Sequence, residues 1–313
     1  MSFLNKFKYH YHFKHIDNLF EEKKFQEIFE YLNKVRHEKK LFYDISLKYI
    51  SNSINSFNQD ISNKKIVWIN TFYDNDSEYL RLFLEYYIKN FSNLEQDINS
   101  YKYEIDQIIQ SNEVINFNTL VNQSYFFQWM IINNFNANFK FLENDLPFFS
   151  SENKYNFTKQ SLSQSYILIL NNPYEVYSKI KKTFNHDQEI ARNVFLNLDK
   201  ASQDEKYSKV KFKFSNKGWN VHTESWTDPN VLSSLRGKII SKKDILNNTF
   251  ETLSSIILHL IQSGVEMELN YDLIENFINQ NPVPNLELDI DISKKEKKFL
   301  DQYIDDAYLS YDI

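Results

Sequence analysis

A strand that runs through a short polar turn into an amphipathic helix constrains this chain more than any other feature. Residues 65–72 read KIVWINTF, an apolar run that predicts a buried strand. The turn YDNDSE follows, and after it comes a segment with an apolar stripe at helical spacing. A buried strand, a short turn and a helix N-terminus together form the layout of a phosphate-binding loop.

The residues of the turn conflict with that layout. The turn contains no glycine and no lysine but a polar and acidic run: Asp74, Asn75, Asp76, Ser77 and Glu78. A loop that cradles phosphate needs backbone N–H groups free to approach the anion and a cation to neutralise it. The scaffold of a nucleotide-binding enzyme is therefore predicted without its main anion contact.

Composition excludes several classes of protein. The 313 residues suffice for one large core with a helical appendage, and a net charge of −6 without a basic block argues against nucleic-acid binding. The apolar runs are too short to cross a bilayer, which predicts no transmembrane segment. The chain has no cysteine and its first 20 residues are polar, so we expect a cytoplasmic protein.

Strands alternate with helices along most of the chain. Apolar runs at 66–72, 165–170 and 238–240 are each followed by a helical pattern, which predicts an α/β protein: a three-layer sandwich around a mainly parallel sheet. Residues 17–57 show helical periodicity in two segments, which predicts an N-terminal helical hairpin.

We therefore predict two domains. An N-terminal helical extension covers residues 1–62, and the α/β domain covers residues 63–313. Residues 101–138 also have helical patterns with aromatic packing faces, and we expect helices there.

Two helix starts have capping signals. Asn172 can cap a first turn in which Pro173 takes the first helical position and Glu175 completes a capping-box-like spacing. Ser293 with Glu296 three residues on predicts the start of the C-terminal helix.

Three segments, in this order, carry a family resemblance. They are IVWINTFYDNDSEYLRLFL, SYILILNNPYEVYSKIK and GWNVHTESWTDPNVLSSLRGKIISKKDILNNTFETLSSII. They resemble the strand and P-K-S-G-[TN]-T-W-L-R loop, the R-[ND]-P-x-D-V-x-x-S helix and the G-x-W-x-x-H-V-x-S-W segment of the sulfotransferase family, in its bacterial branch related to cytosolic sulfotransferases. The resemblance covers roughly residues 64–313. It implies a P-loop-like sulfotransferase fold and transfer of a sulfuryl group from 3′-phosphoadenosine-5′-phosphosulfate (PAPS) to a hydroxyl or amine acceptor.

The resemblance implies a donor site whose residues depart from the family pattern. In the loop the matching positions are Asp74, Asn75, Asp76 and Ser77, with Asp74 in place of the family's lysine. In the second segment they are Asn171, Ser178 and Lys179, with Asn171 in place of an arginine that would hold the 3′-phosphate. Because each motif position expected to be basic is neutral or acidic except Lys179, the resemblance implies an eroded donor site.

Two residues are candidates for catalysis. By resemblance, the general base falls near residues 139–143, where Glu143 could accept a proton from an acceptor hydroxyl. The alternative is a solvated or helix-capping carboxylate. His222, between Trp219 and Trp226, is the most family-like polar residue, and its alternative is a packed histidine that holds the backbone.

Three functions remain open from the sequence. The first is an active sulfotransferase acting on a small-molecule, glycan or lipid acceptor, with an open pocket lined by Ser77, Arg81, Ser178 and Lys179. The second is an inactive member that serves as a binding or assembly protein, its pocket filled by Tyr73 and Tyr79. The third is a metal-dependent glycosyl-type transferase that uses a D-x-D pair, Asp74 and Asp76. The alternative for that pair is a polar turn whose acidic residues favour the helix N-terminus.

Overall fold

A computed structural model of the chain describes residues 3–22, 24, 27, 31, 34–35, 65–72, 77–92, 96–100, 103–104, 139–144, 163–196, 218–283 and 290–304. The chain divides into two compact units. The first unit contains Met1–Lys65, Lys102–Asn138 and Glu205–Lys213, and the second contains Ile66–Tyr101, Phe139–Asp204 and Phe214–Ile313. The predicted boundary after residue 62 stays a prediction, and the helices expected in 101–138 lie almost wholly outside the described residues.

The first unit begins with helix α1 (Phe3–Glu21), which starts well before the position expected from the sequence. Ile16 and Leu19 of this helix are buried, as is Val35. The ring of His15 packs edge-on against Tyr31, with 4.4 Å between the ring centroids. The second half of the predicted hairpin, residues 36–57, lies outside the described residues.

The remaining elements follow in chain order. They are β1 (Lys65–Asn70), α2 (Glu78–Ser92), β2 (Asn99–Ser100), β3 (Phe139–Asn144), β4 (Ser163–Leu170), α3 (Pro173–Thr183), α4 (Gln188–Leu196), α5 (Trp219–Thr227), α6 (Pro229–Ser234), β5 (Gly237–Ser241), α7 (Lys242–Asn247), α8 (Thr249–Gln262), α9 (Tyr271–Gln280) and α10 (Lys294–Leu300). None of the helices described is both long and apolar enough to cross a membrane.

The five strands form one sheet in the order β2-β3-β1-β4-β5, so β1 is the central strand. The pairs β1–β4, β2–β3 and β4–β5 are parallel. This confirms the predicted α/β class and the predicted parallel pairing. Strands β2 and β3 were not predicted, since β2 has only two residues and β3, with the sequence FKFLEN, mixes polar with apolar residues.

One face of the sheet carries most of the apolar core. Alternate residues of the two central strands, among them Val67, Ile69, Ile167 and Ile169, pack there with helices α2, α8 and α9. The stripe predicted for α2 is confirmed, because all five of its residues are buried: Leu80, Phe83, Leu84, Tyr87 and Ile88.

The opposite face is covered by helices α3, α4, α5 and α10, which share a second apolar cluster with Phe72. Side chains of the other parity in β4 face this layer: the Tyr166 ring packs 4.9 Å from Trp226 of α5. With no Cβ at Gly237, the Tyr166 ring can pass directly over β5, since a Cβ there would lie 2.2 Å from it. Strand alternation thus divides the core between the two faces of the sheet.

The helix ends follow the sequence signals with one exception. Asn172 caps α3 by accepting a hydrogen bond of 2.9 Å from the Tyr174 N–H, with Pro173 at the first helical position. The predicted capping box of α10 between Ser293 and Glu296 is present. Glu175, expected to complete a capping box on α3, instead directs its carboxylate to lysines.

Candidate functional site

The carboxyl edge of the sheet is the place where an open α/β sheet forms a ligand crevice. Helix α2, which follows β1, packs on one face, whereas α3, which follows the neighbouring strand β4, packs on the other. The two connections therefore diverge between β1 and β4. Ligands of open α/β sheets bind at such a point, so the residues after these strands are the candidates.

Ser77 and Glu143 are brought together at this edge. The Ser77 hydroxyl donates a hydrogen bond of 2.7 Å to Oε1 of Glu143, and the Nε of Arg81 lies 3.9 Å from the same oxygen. Ser77 follows the central strand and Glu143 is near the end of β3, the neighbour of β1. This contact closes a separation of 66 residues between the two side chains.

Arg81 is shared between two carboxylates. Its Nη1 donates to Oε1 of Glu85 at 3.0 Å, and the same Glu85 oxygen accepts the backbone N–H of Ile98 at 3.0 Å. Arg81 therefore spans Glu85 and Glu143. These ion pairs engage the guanidinium that the sequence analysis expected in the lining of an open pocket.

The Glu143 carboxyl has a pKa above its ordinary range. Burial raises this pKa, and the hydrogen bond from Ser77 and the charge of Arg81 offset the rise only in part. Nearby Glu85 and Glu78 raise it further. Glu143 lies near the end of strand β3 with 24% of its side chain exposed, and its role as a general base stays a prediction.

On the other side of β1, a narrow crevice lies between the ends of β1 and β4 and helices α3 and α5. Its lining includes Phe72, Asn171, Val176, Trp219 and His222. The crevice has an empty volume of about 210 Å³ when its open mouth is counted. No part of that volume is wide enough for a water molecule. The Phe72 ring lines this crevice and lies 5.5 Å from the ring of His222.

His222 is packed, as the alternative interpretation proposed. Only 1% of its surface is exposed, and it lies in α5 among apolar neighbours. A catalytic role for His222 stays a prediction.

Asn171 is the polar residue of this crevice. It directly follows β4, and 3% of its surface is exposed. Neither its Oδ1 nor its Nδ2 has a hydrogen-bond partner among the residues that the structure describes. A buried amide without partners is costly, so it points to a function.

Ser178 and Lys179 do not join Ser77 in one pocket. The Ser178 hydroxyl accepts a hydrogen bond of 3.0 Å from the backbone N–H of Asp291, on the side of α3 that faces the C-terminal segment. Lys179 lies 3.4 Å from the Glu175 carboxylate. The single open pocket expected from the sequence is therefore replaced by two separate groups of contacts.

Tyr79 was expected to fill the donor pocket and does not. Its ring packs 5.3 Å from Phe277, on the side of the sheet that carries the larger cluster, and its hydroxyl donates to the Asn281 carbonyl at 3.1 Å. Phe72 instead lines the crevice between β1 and β4. This was not predicted from the sequence, because Phe72 continues the apolar run of the strand.

A buried ion pair at the same edge was missed by sequence reasoning. Glu175 in the first turn of α3 binds Lys242, the first residue of α7, and both side chains are about 93% buried or more. Lys179 contacts the same Glu175 oxygen. A signal was present, since Glu175 and Lys242 each follow a strand of the same parallel pair.

The acidic turn itself, with Asp74, Asn75 and Asp76, lies outside the described residues, as does Tyr73. The proposed D-x-D metal site therefore stays a prediction. Within the described ranges, no three His, Asp or Glu side chains converge as metal ligands.

No protein-family model matches this chain, and neither does any curated protein.

Proposed function

We propose that this protein is a sulfotransferase-like α/β protein with an eroded donor site, which acts by binding another molecule rather than by transferring a sulfuryl group. The observation that carries this proposal is the pairing of cations with carboxylates at the carboxyl edge. Arg81 contacts Glu85 and Glu143, while Lys179 and Lys242 share Glu175.

A polyanionic donor needs net positive charge where its phosphates lie. Charge-assisted hydrogen bonds from Arg or Lys supply both affinity and transition-state stabilisation for such groups. To bind a phosphate, Lys242 would have to leave Glu175, whose side chain is 6% exposed. Separating a buried ion pair typically costs about 3–5 kcal/mol, so these cations are poorly suited to a donor.

The filled crevice supports the same proposal. A sulfuryl donor carries an adenosine and two phosphate-bearing arms, whereas the crevice between β1 and β4 cannot admit one water molecule. Phe72 and Trp219 belong to the apolar cluster beneath it. Opening the crevice for a donor would expose part of that cluster.

The experiment is calorimetric titration of the full chain with 3′-phosphoadenosine-5′-phosphate, which retains the donor's phosphates. We expect no binding up to millimolar ligand, with the fold verified by circular dichroism in the same sample. Micromolar binding would overturn the proposal, because it would require an anion site rebuilt from other residues.

A working transferase is the second candidate, and the Ser77–Glu143 pair favours it. A carboxyl of raised pKa, hydrogen-bonded at 2.7 Å to the residue that enters helix α2, is placed to take a proton from an acceptor hydroxyl. Sulfate release from PAPS, or transfer to a phenol, would be assayed with the wild type and with Glu143→Gln. Turnover that E143Q abolishes would favour this candidate over the first.

A further inference from the structure

Asn171 is held in a position that the unliganded fold does not explain. Its amide is 97% buried, and its donor and acceptor are both without partners in the described part of the chain. Its neighbour Asn172, by contrast, uses its side-chain oxygen to cap helix α3. An apolar residue at position 171 would avoid the cost of an unpaired amide. A ligand that pairs with the amide would account for asparagine.

The surroundings of this amide restrict the ligand's charge. Its neighbours in the crevice are apolar or aromatic apart from Thr223 and His222, and no carboxylate, lysine or arginine is among the lining residues described. Transfer of an ion into such a place is strongly unfavourable unless a counter-charge meets it. The ligand group that enters is therefore neutral.

The amide also restricts the ligand's hydrogen-bonding pattern. An asparagine side chain presents one acceptor and one donor group side by side in a plane, so it pairs with a planar group that has a donor beside an acceptor. The aromatic rings of Phe72, Trp219 and His222 flank the same space. Flat rings pack well against such side chains in offset or edge-on contacts.

We propose that the Asn171 crevice binds a neutral planar ring that carries an amide-like donor–acceptor pair, with the Phe72 ring as its built-in competitor. The inference rests on the proposed function, since it names the chemical class that a protein without a donor site would bind. Phe72 directly precedes the turn after β1, and its ring lies 5.5 Å from His222. The incoming ring takes the place that the Phe72 ring vacates.

The first test uses three small probes on the wild-type chain: benzamide, benzoate and toluene. All three contain a benzene ring, and they differ in the group that would contact Asn171. Benzamide presents a donor–acceptor pair, benzoate an anionic acceptor and toluene a methyl group. With a Kd of about 1 mM, 10 mM benzamide would raise the folding equilibrium constant about elevenfold. We expect that rise, read from urea unfolding curves, for benzamide alone. No effect of benzamide, or an equal effect of toluene, would overturn the proposal.

The second test uses variants of the crevice. Asn171→Leu removes the unpaired amide, so we expect it to unfold at a higher urea concentration than the wild type and to lose the effect of benzamide. Phe72→Ala removes the competitor, and we expect benzamide to bind it at least tenfold more tightly. If Asn171→Leu instead unfolds earlier, or binds benzamide as the wild type does, Asn171 is a structural residue and the proposal is wrong.

Asn281→Leu is the matched control for the first variant. Asn281 Nδ2 donates to the Phe277 carbonyl at 3.1 Å, outside the crevice. This variant is expected to lose stability and to keep the response to benzamide. The titration with 3′-phosphoadenosine-5′-phosphate separates the two proposals: micromolar binding there overturns the proposed function, whereas a silent benzamide series without such binding overturns only the ligand class.

Discussion

The Ser77 hydroxyl and the Glu143 carboxylate form a 2.7 Å hydrogen bond that joins the ends of two neighbouring strands. Glu143 lies in β3, a strand that was not predicted from the sequence. Ser77 directly precedes helix α2. The bond places a partly buried carboxyl of raised pKa at the carboxyl edge of the sheet. This edge is where an α/β protein of either proposed kind meets its ligand.

Glu143→Gln is expected to change how stability depends on pH. Because burial raises the pKa of Glu143, the folded chain keeps a proton that the unfolded chain has lost above pH 4.5. The wild type therefore loses stability as pH rises from 4.5 through the raised pKa. In E143Q that loss disappears, which urea unfolding between pH 4 and pH 7 would measure.

Ser77→Ala is the companion to that experiment. The Ser77 hydroxyl lowers the pKa of Glu143 by binding its charged form, so its removal raises this pKa further. We expect the stability loss of S77A to extend to higher pH than that of the wild type. A profile of E143Q that parallels the wild type would show that Glu143 does not titrate in this window.

Glu175→Gln is expected to create affinity for anions. The change leaves Lys242 and Lys179 without their shared carboxylate at the carboxyl edge. Titration with 3′-phosphoadenosine-5′-phosphate should then show binding that the wild type lacks, and 0.5 M NaCl should weaken it. Equal absence of binding in both proteins would mean that pairing with Glu175 is not what keeps anions away.

Glu296→Ala is expected to destabilise the docking of helix α10. Glu296 is buried beside Lys181, with 3.4 Å between Oε1 and Nζ, and Lys181 also contacts Asp291 at 3.2 Å. Removing one partner of a buried pair costs about 3–5 kcal/mol when the other charge is left uncompensated, and we expect a smaller loss here because Asp291 still faces Lys181. The free energy of unfolding would be measured by urea titration at pH 7.

The double variant Lys181→Met with Glu296→Ala provides its control. It removes both charges, so we expect it to recover a substantial part of the lost unfolding free energy.

The pH dependence of stability gives a second test of Glu296, because its pKa is shifted in the folded chain. Burial raises it, but the hydrogen bonds from Ser293 and the charge of Lys181 prevail and lower it. Stability from this group is therefore present above pH 4.5 and is lost as pH falls through the lowered pKa.

His259 is expected to destabilise the fold on mild acidification. Burial and the charge of Lys238 lower its pKa below 6.5, although backbone carbonyls of Tyr166 and Arg236 oppose the shift. Below pH 6.5 the unfolded chain gains a proton that the folded chain excludes, so stability falls by at most about 1.4 kcal/mol per pH unit down to the lowered pKa.

His259→Gln tests this expectation, since it leaves a donor for Ser165, whose Oγ lies 2.9 Å from the His259 Nε2. Its unfolding free energy should be flat between pH 5 and pH 7, apart from groups shared with the wild type. A stability difference between wild type and His259→Gln that is the same at pH 5 and at pH 7 would contradict the shift.

The elements that the sequence predicted best are those whose signal is local. The stripe of α2, the cap at Asn172 and the capping box at Ser293 depend on residues within one or two turns of each other, so their spacing is visible in the chain. Strands β1 and β4 were apparent for the same reason. Strand β2, by contrast, has two residues and exists only through its pairing with β3.

The sequence predicted single residues of the candidate site, namely Ser77, Glu143 and Asn171. It did not predict which residues they contact. Ser178 was expected beside the donor and instead meets Asp291, because helical rotation turns it toward the C-terminal segment. Glu175 has the spacing of a helix-capping residue but forms an ion pair with Lys242. Lys242 directly follows β5, the parallel neighbour of β4, and therefore lies at the same edge of the sheet.

The sequence by itself determined the α/β class, the parallel pairing of apolar strands and most helix ends, because hydrophobic periodicity and capping act over a few residues. Tertiary structure alone decided that Phe72 lines the crevice, that Asn171 is buried there without a hydrogen-bond partner among the described residues, and that Lys179 and Lys242 pair with Glu175. Those outcomes depend on strand order and on the face that each helix covers. Both are set by burial of apolar area between distant segments, which no short stretch of sequence contains.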